Sequence, residues 1–419
     1  MRWKRLRPDE IDLVLRDPVD SDTLVRAEEI VEVVRAEGER ALRTYAERFG
    51  DRQPGEPLVL GPDELAAAAD RLPADQRGLL ERTADRIRAF AGAQRASLAD
   101  VDVEVPGGRA GHRVAPVVRA GCYAPGGRFP LPSSVLMTAV TARAAGVSEV
   151  WVASPRPNDV TLAAAAVAGA DALLAVGGAQ AIAALAFGAG AVPACDVVVG
   201  PGNRWVTAAK KLVAGHVGID MLAGPSELVV LADGSADPAT VAADLLAQAE
   251  HDPDALPVLV ATDEGLVDRV ESELALQLAE LPTRATAEPA LGNGFAVLAE
   301  TLDDAIEICD RLAPEHLQVL AVDADEIWPR LDHWGGLFVG DASAEVFGDY
   351  GVGPNHTLPT GGVARFKGGL SVFDFLRIRT WLRLDEGPEV VAVARDAATL
   401  ARLEGLEGHA RAAERRIRD

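Results

Sequence analysis

The sequence is poor in cysteine and short of positive charge, and each shortage excludes something. Among 419 residues only three are cysteines, Cys122, Cys195 and Cys309, widely separated and without a C-x-x-C spacing. That excludes a disulfide framework and fits the reducing cytoplasm. Lys plus Arg number 41 against 64 for Asp plus Glu, a net charge of −23. A field of that sign repels phosphate backbones, so nucleic acid is not an expected partner, although a local basic pocket is compatible with it. An uninterrupted apolar run is also missing. The Ala- and Gly-rich stretch from Thr161 to Phe187 is broken by Asp171, Gly177, Gly178 and Gln180, so no membrane span is expected. The basic opening leads into Asp9, Glu10 and Asp12 with no apolar stretch, so no signal peptide is expected. No short-period repeat is visible.

What is present is an ordinary globular balance, 48% apolar and 25% charged, over a length suited to two or three domains. Residues 21–45 and 62–99 have helical spacing, the latter broken near Pro73. After Gly121 short β-rich runs alternate with Ala-rich helical runs. Strands are predicted over 149–153, 172–176, 196–199, 228–232, 257–261, 296–298, 317–321 and 337–339, with helices between them. Such alternation predicts parallel-rich sheets flanked by helices, an α/β fold of two Rossmann-like lobes, about 123–225 and 226–370. From Asp374 onward the chain reads as a helical tail with an ill-defined strand at Val390–Ala394.

Several segments carry chemically useful groups. The Gly/Pro-rich loop from Gly121 to Met137 enters a helix and includes Tyr123; such loops present backbone N–H groups to anions. Gly177-Gly-Ala-Gln180 and Gly200-Pro-Gly-Asn203 are further strand-to-helix loops. Gln180 and Asn203 are either helix caps or ligand contacts. All three loops sit at carboxyl ends of strands, where open α/β sheets bind ligands. Gln248 and His251 are i and i+3, on one helix face. His251 suits a metal or a helix C-terminus, whereas glutamine is a poor ligand on general grounds. Glu315 and His316 supply an acid/base pair. On a regular strand they would point apart, so a shared site requires them on the turn before the strand, which Pro314 favours. Asp349, in the long turn-rich loop 347–362, offers a hard oxygen ligand. Glu404 and His409 are i and i+5, which a straight helix does not align. His112, His216 and His333 read as structural or solvated; His356, in the long loop, stays open.

As an ordered set these motifs resemble the histidinol dehydrogenases of histidine biosynthesis over nearly the whole chain. The carrying segments are Tyr-Ala-Pro-Gly-Gly from Tyr123, Gly-Gly-Ala-Gln180, Gly-Pro-Gly-Asn203, Asp220-Met-Leu-Ala-Gly-Pro-Ser226-Glu, Gln248-Ala-Glu-His251, Pro-Glu315-His316-Leu, Gly-Asp349-Tyr and Asn355-His-Thr-Leu-Pro-Thr. The resemblance implies an N-terminal arm (1–13), a discontinuous first lobe carrying metal and catalytic residues (14–122 and 226–370), a second, NAD-binding lobe (123–225) and a tail (371–419) reaching the partner of a homodimer. It implies Zn²⁺ held by Gln248, His251, Asp349 and, from the other subunit, His409. Tyr123, Gln180 and Asn203 would touch NAD. Ser226, Gln248, His251, His316, Asp349, Glu404 and His409 would line the site for L-histidinol. His316 would be the base for two successive oxidations, through a bound aldehyde to L-histidine, and Glu315 would activate water for the second. Cys122 is left as a packing residue. The alternative is a paralogue of the same fold acting on another amino alcohol or a hydroxy-sulfonate; the segments around Ser226 and Asp349 look like the histidinol form.

Overall fold

A computed structural model of the chain describes residues 3–13, 19–126 and 130–417. Residues 127–129 of the Gly/Pro-rich loop and 14–18 at the arm boundary lie outside the described residues.

Among the described residues the strands form two six-stranded sheets and one three-stranded sheet. The first sheet is parallel throughout, in the order Lys4–Leu6, Phe295–Leu298, Leu256–Ala261, Glu227–Ala232, His316–Leu320, Gly336–Val339. Its central strands are nearly continuous runs of Val, Leu and Ala, as strands covered on both faces must be. Helices Pro238–Ala249, Glu264–Glu280 and Arg284–Asn293 cover one face and Leu302–Leu312 the other. The second sheet has the order Val59–Leu60, Ala172–Leu174, Glu149–Ala153, Arg119–Tyr123, Val197–Val199, Gly218–Ile219, parallel except for its antiparallel first strand. Helices Ser21–Glu37, Glu39–Arg48, Gly178–Phe187 and Arg204–Val213 pack on one side of it. Pro62–Arg71, Ala74–Ala96, Pro132–Ala145 and Asp159–Val167 pack on the other. Chain order 3-2-1-4-5 around a central first strand recurs in both sheets, so each has a point where the winding reverses. The α/β architecture expected from the alternation is present, and no helix among the described residues is long and apolar enough to cross a membrane.

Three boundaries differ from the sequence expectation. The arm is part of the first lobe: Lys4–Leu6 is an edge strand, Trp3 is buried with its indole N–H on the Leu291 carbonyl at 2.8 Å, and Ile11 is buried. Described residues of 14–122 do not join the 226–370 lobe. Their helices cover the second sheet and Arg119–Tyr123 is its central strand, because those helices bury their apolar faces there. The tail does not begin as helix. Leu376–Leu384 alternates apolar and basic residues with period two and pairs antiparallel along all of Gly108–Pro116. Val390–Ala394 lies inside helix Pro388–Leu403.

Candidate active site

The site is built at the amino ends of two adjacent strands of the first sheet. Helix Leu302–Leu312 stops at Ala313, whose φ is +45°, and Pro314, which has no N–H to donate, cannot continue it. Glu315 thus occupies the turn and His316 opens the strand. The two side chains meet, with Glu315 Oε2 3.6 Å from His316 Nδ1. His316 Nδ1–H donates to the Glu227 carbonyl at 2.7 Å. A carbonyl only accepts, so this contact assigns the proton to Nδ1 and leaves a lone pair on Nε2. Glu315 Oε2 accepts from the Glu227 N–H at 2.8 Å, and the Glu227 carboxyl accepts from Gly361 N–H at 2.9 Å and Glu315 N–H at 3.4 Å. Burial pushes the Glu227 carboxyl up to about 7 and the Glu315 carboxyl well above its usual range, against the pull of these N–H groups. Burial, helped by the neighbouring His356, pushes His316 down to about 4.

Facing His316 Nε2 is a compact set of metal-capable groups. His356 Nε2 lies 2.8 Å from it, and 3.1 Å from Asp349 Oδ1 and 3.3 Å from Glu345 Oε1. Asp349 Oδ2 is 3.4 Å from His251 Nε2. His316, Glu345 and His356 form one group whose ligand atoms lie within 4.8 Å of one another; His251, Glu345 and Asp349 form another. Burial works to raise Asp349, but the imidazoles of His251, His356 and His316 hold its carboxyl down at about 2. His251 is raised by its hydrogen bond to Asp349. One turn back from His251, Gln248 is fully buried and neither amide atom has a partner. A buried amide without partners is rare because its desolvation goes uncompensated. Imidazoles and carboxylates are donor types zinc accepts, and the Gln248 amide, three residues before His251, is left without any other partner. The residues therefore fit a zinc ion. The loop that supplies Asp349 and His356 is ordered by its neighbours. Asn355 Nδ2 donates to the Met137 carbonyl at 2.7 Å, and Arg86 Nε to the Gly351 carbonyl at 2.7 Å. Gly348 lets the His356 ring approach: a Cβ there would lie 2.9 Å from His356 Cε1 and 3.0 Å from Phe338 Cζ, and closer still to His356 Nδ1.

The second sheet presents its carboxyl ends. Tyr123 ends the central strand and accepts from Gly178 N–H at 3.2 Å; burial pushes its hydroxyl up to about 12. Asp51 accepts from Gly177 N–H at 3.0 Å, beside the buried Gln180. Asn203 is exposed and caps helix Arg204–Val213, its Oδ1 accepting from Trp205 and Val206 N–H at 3.1 and 3.3 Å. Tyr123 and the Gly200–Asn203 turn flank the reversal point between strands Arg119–Tyr123 and Val197–Val199, where sheets of this type bind dinucleotides.

The family model described as histidinol dehydrogenase matches residues 16–417. The chain belongs to the histidinol dehydrogenase family. It is 48% identical over 389 residues to the histidinol dehydrogenase of Thermus thermophilus, covering 92% of this chain and 93% of that protein. It is 44% identical over 398 residues to that of Aromatoleum aromaticum, covering 93% and 90%. The crystal structure of histidinol dehydrogenase from Elizabethkingia anophelis matches with a TM-score of 0.91 at 30% identity, over 99% of this chain and 98% of that one.

Of the residues that the family resemblance singled out, the structure brings Glu315, His316, His251 and Asp349 into one place, with Gln248 in the last turn of helix Pro238–Ala249 and His251 in the turn that follows it. Ser226 is half-buried and immediately precedes Glu227. Glu404 and His409 are exposed on the tail and join neither metal-capable group among the described residues. Three participants were missed or left open: Glu227, Glu345 and His356. Glu345 and Asp349 are i and i+4 across a four-residue helical turn, a spacing that places two carboxylates together. Glu227 gave no signal, since its main role uses a backbone carbonyl.

Proposed function

We propose that the protein is a zinc- and NAD-dependent histidinol dehydrogenase that oxidises L-histidinol, through bound L-histidinaldehyde, to L-histidine in the cytoplasm, the last step of histidine biosynthesis. The observation that carries this reading is the buried Glu315–His316 pair facing His251, Glu345, Asp349 and His356 beside an unpartnered Gln248 amide. Gln248, His251 and Asp349 would hold zinc, with His409 of a second copy as fourth ligand. Zinc would anchor the substrate's imidazole and amine, and NAD⁺ would accept hydride. Tyr123, Gln180 and Asn203 would touch the dinucleotide, a reading supported by their place at the loops beside the second sheet's reversal point. Ser226 and Glu404 would complete the substrate's surroundings.

His316 takes the hydroxyl proton at Nε2, with its tautomer fixed by the Glu227 carbonyl. Glu315 takes the proton of the water that hydrates the aldehyde; burial raises its carboxyl well above the usual carboxylate range, which makes it a stronger base. Holding the aldehyde in place protects it from side reactions. The homodimer is supported by uncovered apolar surface on the C-terminal elements. Ile378 and Leu382 on the ribbon are 57% and 65% exposed, and Leu403 on the tail is 81% exposed. The cytoplasmic assignment is supported by three free, buried cysteines.

The test is NADH formed per histidinol consumed by the purified protein with Zn²⁺ and excess NAD⁺. Two NADH with histidine as product is expected. One would mean that the aldehyde escapes and would remove Glu315 from its role. None from zinc-loaded protein would refute the substrate and point to another amino alcohol.

A further inference from the structure

A buried ion pair lies under the Gly200–Asn203 turn, and the chemistry above makes no use of it. Lys210, on helix Arg204–Val213, contacts Asp220, which follows strand Gly218–Ile219; their side chains are 3% and 0% exposed. Each also grips one polar group of Gly200. Asp220 Oδ2 accepts from Gly200 N–H at 2.7 Å, and Lys210 Nζ donates to the Gly200 carbonyl at 3.0 Å. Asp220 Oδ1 further accepts from Met221 N–H at 2.7 Å. Gly200 has φ +116°, and a Cβ there would come within 3.0 Å of the Tyr123 carbonyl carbon and nearer to its oxygen. The backbone of this turn is thus pressed against Tyr123 in a conformation that other residues rarely adopt.

Burying two opposite charges is a poor route to stability, because desolvation offsets their attraction. What the pair secures is the geometry of one residue, held through the N–H of the peptide before it and the carbonyl of the peptide after it. That residue opens the turn at the reversal point of the second sheet. The same helix fixes the next segment as well, with Thr207 Oγ1 donating to the Ala223 carbonyl at 2.8 Å.

We infer that Lys210 and Asp220 are positioning residues for the dinucleotide: they hold the Gly200–Asn203 turn, before any ligand arrives, in the shape that admits NAD. The inference rests on the NAD-site reading above. A turn built in advance spares the ligand the entropy of ordering it.

The test is the double variant K210M/D220N, which removes both charges at similar volume and strands neither. The amide introduced at position 220 can still accept from Gly200 N–H, while Met221 N–H loses its acceptor and the Gly200 carbonyl its donor. The Kd for NAD⁺, read by calorimetry on the zinc-loaded protein, should rise roughly 10- to 100-fold, the usual cost when a supporting contact is lost. The KM for histidinol and the zinc content should stay within about twofold. Unchanged NAD⁺ affinity in the folded variant overturns the inference, as does an equal rise in both substrates' constants. Gln180→Ala is the companion: if it weakens NAD⁺ binding and K210M/D220N does not, only the positioning role falls. If neither does, the NAD-site reading falls and takes the inference with it. Should the double variant not fold, hydrogen exchange on the wild-type protein decides. Protection across residues 197–203 without NAD⁺ supports the inference, and protection that appears only with NAD⁺ overturns it.

Discussion

Replacing Gly348 with alanine should cripple turnover while leaving the fold intact. Gly348 sits in the short helix Val346–Asp349 and is not among the glycines with positive φ. Its backbone therefore suits alanine, and helix propensity favours the change by about 1 kcal/mol. The obstacle is the His356 ring. The new methyl would stand at or under 3.0 Å from two ring atoms and from Phe338 Cζ. Restoring ordinary contact requires the ring to retreat by about 1 Å, the scale of misplacement that costs roughly 10²-fold in rate. His356 Nε2 lies 2.8 Å from His316 Nε2 and 3.1 Å from Asp349 Oδ1, so a retreat loosens both the base and the candidate metal group. The expected loss in kcat/KM for histidinol is about 10²-fold, or about 2.7 kcal/mol in the barrier. The melting temperature should be unchanged or modestly lower, since overpacking of about 1–3 kcal/mol opposes the helix gain. Steady-state kinetics and a thermal melt on the same preparation measure both. A variant with kcat/KM within about threefold of wild type would refute the reasoning, because His356 would then have no geometric role to lose.

Three other outcomes are expected. Gln248→Met should stabilise the metal-free protein by about 1–3 kcal/mol, since it removes a buried amide without partners, and should weaken zinc binding about tenfold or more; lower stability of the metal-free variant in denaturant titration would contradict this. His251 has a raised folded-state value, so its imidazole is charged below that value and must shed a proton to bind a metal. Zinc affinity should therefore fall as pH drops below that raised value, with proton release seen as buffer-dependent heat; affinity independent of pH on both sides of the ordinary imidazole range would remove His251 from the ligand set. His316→Asn should slow both oxidations with zinc retained, and Glu315→Gln should slow the aldehyde half more than the alcohol half; stopped-flow traces from histidinol and from the aldehyde showing equal losses for Glu315→Gln would exclude it as the activator of water.

The parts of the fold that could be read from the chain are those where one physical signal dominates. Each predicted parallel strand from 149 to 339 is a Val/Leu/Ala run bounded by turn residues, and each appears in a sheet. The ribbon strand Leu376–Leu384 was overlooked although it alternates, because its pattern stands alone among helical neighbours. Membership of the helices between residues 21 and 96 in the second lobe could not be read, since an amphipathic helix does not say which sheet it covers. The requirement that Glu315 and His316 sit at a turn was legible from Pro314, and Ala313 in a left-handed conformation completes it. Glu345 was hidden for a different reason. It approaches His356 only because the 346–362 loop is tied to Met137 and Arg86, contacts more than 200 residues apart in sequence. The rule that ligands gather at the carboxyl ends of strands draws attention to the second sheet; the buried Glu315–His316 pair lies at the amino ends of the first, where no such rule directs attention.

The edge strand Lys4–Leu6 has a consequence for synthesis. Its partner, Phe295–Val297, leaves the ribosome about 290 residues later, which at 5–20 residues per second is a wait of about 15–60 s. All strands of the second sheet are made within that interval, so that sheet can assemble while the earliest segment still lacks a place to dock. Trp3 and the adjoining strand would spend this time uncovered, with unpaired backbone groups of the kind that recruit other chains. Lys4–Leu6 is thus made long before it can be buried, and its docking belongs to the closing step of folding rather than to its start.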